Sequence, residues 1–137
     1  MGLFNIFNIS GSAMSAESIR LNTIASNLAN SQSIGSSENT TYRAKSPVFS
    51  AMMKSMQGDK LSYGVEVKGI VDSKAPLETR YQPEHPMANE DGFIFMPNVN
   101  VVDEMANMIS ASRAYQSNVE VLNTSKQLMM ATLRLGQ

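Results

Sequence analysis

Apolar residues recur at helical spacing near both ends of the chain and lose that rhythm between them. From about Ile6 to Asn30, Phe7, Met14, Leu21 and Leu28 stand seven apart, with Ile24 filling the half-step between the last two, which is one face of a helix. The opposite face carries Ser12, Ser15, Asn22 and Ser26. Asn27, Asn30 and Ser31, followed by Gln32 and Ser33, prefer caps and turns, so the helix is expected to end there. Gly11 costs about 1 kcal/mol against Ala in a helix interior, which predicts fraying or a bend near it.

The second rhythm is longer. Met105, Met108, Ser112, Tyr115, Val119, Leu122, Lys126, Met129 and Leu133 follow an alternating four-three spacing that only Ser112 and Lys126 interrupt. No proline follows Pro97, and no glycine lies between Gly92 and Gly136. A helix from Val101 to Leu135 would be roughly 50 Å long, with Gly136 as its stop. Asp103 and Glu104 in its first turn and Arg134 in its last suit the helix dipole. So narrow an apolar stripe calls for a partner helix along most of its length. The first helix is the obvious partner and would give an intramolecular hairpin, but it reaches only about 37 Å. The remainder of the stripe is left for another molecule.

Between the helices, Tyr63 to Val71 alternates at period two, Phe93-Ile94-Phe95-Met96 reads as a second strand, and Glu78 to Tyr81 as a weaker third. Gln57-Gly58-Asp59 and Pro83 to Gly92 read as turns. The expected fold is therefore α+β and mainly α. Residues 1–32 and 99–137 form one discontinuous helical domain, two long helices pairing as a coiled-coil-like hairpin, and residues 33–98 form a small β-rich insertion.

Charge and composition narrow the function. Charged residues make up 17% of the 137, and the net charge is −1, so no basic field exists to hold nucleic acid. Ser, Asn and Gln fill much of the polar surface; they can bond a neighbouring subunit without the cost of desolvating a charge. There is no cysteine, which excludes a disulfide scaffold. The start, Met1-Gly2-Leu3-Phe4-Asn5-Ile6-Phe7, lacks a basic region and an apolar core of signal-peptide length. No stretch approaches membrane-spanning length. Both a cytosolic protein and one exported without a cleaved signal fit these features.

Candidate chemistry is sparse. His85 is the one histidine, without cysteine or a second histidine to build a zinc site, and it reads as a loop residue between Pro83 and Pro86. A hydrolase using a serine with His85 has no spacing that identifies its nucleophile. Asn89-Glu90-Asp91-Gly92 lacks the alternating ligands and closing glutamate of a calcium loop and reads as a solvated turn. Met52, Met53 and Met56 offer thioethers to a soft copper ion, but methionine throughout this chain reads as packing. No phosphate-cradling glycine loop is present. No catalytic, metal or cofactor site, and no small-molecule substrate, is expected.

The motifs themselves point further. Ala25-Ser26-Asn27-Leu28-Ala29-Asn30-Ser31 resembles the N-terminal motif shared by flagellar rod and hook proteins. Tyr42-Arg43-Ala44-Lys45, His85-Pro86-Met87-Ala88, Met96 to Met105 and Ser110 to Thr124 are similar, in order, to the proximal-rod members of the flagellar basal-body rod family. Segments 33–40 and 55–60 show no family pattern. The resemblance implies a subunit of the hollow rod that crosses the periplasm and transmits torque. It implies export, unfolded and uncleaved, by the flagellar type III apparatus, then packing of the paired terminal helices around a central channel. Its neighbours would be the other proximal-rod proteins, the basal adaptor and the distal rod. Phe49, with Met53 four places on, fits the loose pattern of the family's export signals; the alternative is an aromatic buried in the insertion.

A different class of function fits the same stripe: a soluble helical-hairpin adaptor or export chaperone that binds one partner helix. The rod reading predicts that Leu122→Asp or Val119→Asp blocks assembly and leaves secretion largely intact. Swimming assays and assays of secreted protein check this, and wild-type motility contradicts it.

Overall fold

The computed structural model describes residues 3–56 and 60–135. It contains α1 (Leu3–Asn30), β1 (Lys45–Met56), β2 (Lys60–Asp72), β3 (Glu78–Tyr81), β4 (Phe93–Met96) and α2 (Val101–Leu135). Two helices and two small antiparallel sheets make the α+β arrangement expected from the pattern. The turn expected at Gln57-Gly58-Asp59 and the stop at Gly136 lie outside the described residues.

α1 begins three residues earlier than its apolar rhythm and runs without a break through Gly11. The helix is not interrupted at Gly11 because the added helical hydrogen bonds and packing offset one glycine's entropy. Its end is closed by side chains rather than by a glycine. Asn30 Nδ2 donates to Ser26 O at 2.8 Å, Ser31 Oγ to Leu28 O at 2.8 Å, and Ser33 Oγ to Asn30 O at 2.8 Å. These bonds fill carbonyls that a helix end leaves orphaned. At the start of α2, Asn100 is the cap: its Oδ1 accepts from the Val102 amide at 3.0 Å, and its own carbonyl from the Glu104 amide.

α1 is the central element. α2 packs along one side of it and the β1–β2 hairpin along another, and no described strand packs on α2. Arg20 bonds Asn107 and Asn27 bonds Glu104, so the two helices run antiparallel. The hairpin pairs Lys45↔Asp72 at its base through Met56↔Lys60 near its tip, with a bulge between Val48 and Phe49. β1 is a strand that the pattern did not reveal. Pro47, Ala51, Lys54 and three methionines dilute its β propensity, and only the partner strand β2 supplies its order. The hydroxyls on the polar face of α1 anchor the hairpin: the Val65 amide donates to Ser12 Oγ at 3.2 Å, and Ser26 Oγ pairs with Tyr42 Oη at 3.2 Å.

β3 and β4 form the second sheet, joined at one edge by Gly35, whose amide and carbonyl bond Phe95 in both directions at 3.0 Å. A Cβ on Gly35 would clash with Thr41 Oγ1 and lie 3.0 Å from Thr41 Cα. Thr41 cannot yield, because its hydroxyl donates to Ser37 O at 2.7 Å and closes the 37–41 turn. Gly35→Ala is therefore expected to destabilise the protein by about 1–3 kcal/mol, read as a lower midpoint in urea denaturation. Ser36→Ala beside it, at an exposed position, should leave the midpoint within error.

Candidate assembly interface

The side chain of Asn27 is almost completely buried, at 1% exposure, and all four of its hydrogen-bonding positions are used. Its Nδ2 donates to the Lys45 carbonyl at 2.9 Å and to Glu104 Oε2 at 3.0 Å. Its Oδ1 accepts from Tyr42 Oη at 2.9 Å and from the Lys45 amide at 2.9 Å. One amide thus ties α1 to the start of β1 and to the first turn of α2. Asn98 repeats the device nearby: its Oδ1 accepts from the Ala44 amide and its Nδ2 donates to Ala75 O, both at 2.8 Å. Arg43 adds bonds to Ser73 O and Ala75 O. The other members of the 27–31 motif act locally: Leu28 is half-buried, Ala29 is exposed, and Asn30 and Ser31 close the helix.

Along the helix pair, Ile24 is buried and Phe7, Met14 and Leu21 are half-buried. On α2 the most deeply buried positions are Ala111 and Ser125, flanked by half-buried Glu104, Met108, Asn118, Val119, Leu122 and Met129. This line shares Met108, Val119, Leu122 and Met129 with the apolar stripe read from the sequence, and has Ala111 and Ser125 where the stripe has Ser112 and Lys126. Small residues at 111 and 125 let α1 approach closely, and the larger neighbours splay to either side. As a result Met105 (56% exposed) and Leu133 (64% exposed) face largely outward, and Tyr115 is partly exposed. Val102, Ile109, Leu128 and Met130 add to this outer apolar surface. They lie off the heptad stripe; their signal in the sequence is a second stripe, Val102, Met105 and Ile109, at helical spacing.

The other candidates separate cleanly. Phe49 is exposed on β1, beside the bulge between Val48 and Phe49, and is not buried in the insertion. The side chain of Met53 lies outside the described residues, as does that of Met56. His85 Nδ1 accepts from the Met87 amide at 3.1 Å within the turn. Asn89 Oδ1 accepts from the amides of Asp91 and Phe93, so it organises its own turn around Gly92, whose φ is +80°. Among the described residues no three His, Asp or Glu side chains are grouped to hold a metal, and no described helix is long and apolar enough to cross a membrane.

The construction is that of a structural subunit: polar side chains join the elements, and long apolar edges stay open to neighbours. Comparison with known proteins gives the class. Residues 7–32 match the family of flagella basal body rod proteins, and residues 90–135 match the C-terminal family of the flagellar basal body rod FlgEFG proteins. Over its whole length, and the whole length of each relative, the chain is 51% identical to the flagellar basal-body rod protein FlgC of Yersinia enterocolitica, 49% to that of Salmonella typhimurium and 45% to that of Buchnera aphidicola from Acyrthosiphon pisum. The chain belongs to the FlgC family of flagellar basal-body rod proteins and is a structural subunit of that rod.

The Asn27 node yields a graded expectation. Asn27→Ala leaves the Lys45 amide and carbonyl without their partner and should cost about 3 kcal/mol, seen in thermal unfolding by circular dichroism. Asn27→Asp keeps the acceptors, loses both donors and sets a carboxylate against Glu104. Its deficit relative to wild type should shrink as the pH falls and the introduced carboxyl takes up a proton. A deficit that does not change with pH would contradict the geometry.

Proposed function

We propose that this chain polymerises through its helix pair into the hollow proximal segment of the rod, the shaft that transmits motor torque. In this reading 1–32 and 99–137 act as one discontinuous helical unit whose seam is coiled-coil-like, and 33–98 is an insertion carried on it. The observation that supports it is surface area. The chain exposes 9629 Å2, whereas a compact monomer of 15.0 kDa exposes roughly 7,000 Å2. The excess is in the range of a large, permanent interface. Much of the outer surface of α2 is apolar, and α2 is packed against a single element. Burying apolar surface contributes about 25 cal/mol per Å2, so ordering of the chain ends and addition to the rod are coupled.

The partners in this proposal are the other rod proteins, proximal and distal, and the basal adaptor beneath them. The chain reaches the periplasm through the flagellar type III export apparatus without a cleaved signal, and Phe49, exposed and four residues before Met53, is its candidate recognition element.

Exposed residues give the cleaner test, since Val119 and Leu122 also support the α1–α2 seam. Met105→Glu with Ile109→Glu should leave helix content and export unchanged and abolish incorporation into basal bodies. Motile cells with normal rods carrying this double variant would refute the proposed polymerisation surface.

A further inference from the structure

The chain has 11 methionines and no cysteine, so its sulfur chemistry is that of thioethers, which peroxides convert to sulfoxides. Exposure sorts these methionines along α2. Met105 is 56% exposed and Met130 50%, whereas Met108 and Met129 beside them are half-buried. About seven helical turns separate Met105 from Met130 at 3.6 residues per turn, so both project from one side of α2. There Met105 stands between Val102 and Ile109, apolar residues that are themselves exposed. The two most accessible thioethers of the helix thus belong to the outer surface through which the subunit is proposed to polymerise.

We propose that Met105 and Met130 are sites of reversible oxidation, and that sulfoxide there holds a free subunit out of the rod. This deepens the polymerisation reading and rests on it. Hydrogen peroxide transfers one oxygen atom to the thioether sulfur: the O–O bond breaks, the sulfur is oxidised by two electrons and water leaves. Methionine sulfoxide reductases run the reverse step, in which two thiols are oxidised to a disulfide and the oxygen departs as water. Oxidation replaces a flexible apolar side chain with a polar one that accepts hydrogen bonds. An acceptor buried without a donor disfavours the contact that buries it, and the side chains of Val102 and Ile109 offer no donor. Once the surface is covered in the rod the sulfurs are shielded, so oxidation acts on the subunit before assembly and not after it.

Purified full-length protein treated with hydrogen peroxide and mapped by mass spectrometry should gain sulfoxide at Met105 and Met130 at least three-fold faster than at Met108 and Met129. Equal rates at the four positions overturn the site assignment. In cells lacking methionine sulfoxide reductases, peroxide given during synthesis of the chain should lower its incorporation into basal bodies at least five-fold. For chain carrying Met105→Leu and Met130→Leu, which keep the apolar volume and remove the sulfur, the ratio of treated to untreated incorporation should return to about one. Met87→Leu, at an exposed methionine of the 83–92 turn, should leave the sensitivity of wild type in place. A double leucine variant as sensitive as wild type overturns the proposal, as does wild-type chain found in basal bodies with sulfoxide at Met105. Met105→Glu with Ile109→Glu, carried in parallel, separates the two readings. Its normal incorporation removes the polymerisation surface and the switch with it; its exclusion, while oxidised wild type still assembles, removes the switch alone.

Discussion

The amide of Asn27 is the point on which the three parts of this molecule meet. A single side chain that donates twice and accepts twice holds the start of β1, the first turn of α2 and the end of α1 in one geometry. Such a group contributes modestly when satisfied and costs heavily when any partner is lost. That asymmetry makes the arrangement specific: a shifted helix register or a displaced strand leaves a buried amide unpaired. Asn98, Asn100 and the serines at the end of α1 extend the same logic through the surrounding loops.

Polar side chains carry this burden because the apolar core is thin. Among the described residues Ala16, Ile24, Ile94 and Ala111 are the buried hydrophobics, alongside the buried polar residues Ser10, Thr23, Asn27, Thr41 and Ser125. Hydroxyls and amides fix geometry with little desolvation cost once bonded, but they add little driving force. Larger apolar groups are instead spread over the outer side of α2 and over the hairpin, where Val48, Phe49, Ile70 and Val71 remain exposed. A protein that polymerises can keep its strongest burial term for the contact with its neighbours.

Both helices were legible from periodicity, and α2 has the bounds that its apolar stripe implies, since no proline or glycine within it competes with helix. β2, β3 and β4 were legible too, from alternation and flanking turns. β1 was not: Ala51, Lys54 and Met56 carry no preference strong enough to mark a strand, and pairing over a hairpin is a contact between segments, not a local property. In the 25–31 motif the sequence reading recognised a family pattern and a helix end. It did not foresee that Asn27 points inward, because a polar residue in a run of cap formers reads as solvent-facing.

What the sequence determined by itself is local and periodic: where α1 ends and where α2 begins, and that two apolar stripes need partners. The tertiary structure decided which positions meet. A stripe of heptad spacing drifts around a straight helix by about 20° per heptad, so a modest rotation of α2 separates its packed line from the stripe and turns Ala111 and Ser125 toward α1 and Met105 and Leu133 outward. That rotation depends on the size of side chains in the facing helix and on the Asn27–Glu104 bond, both of which exist only once the chain ends are brought together.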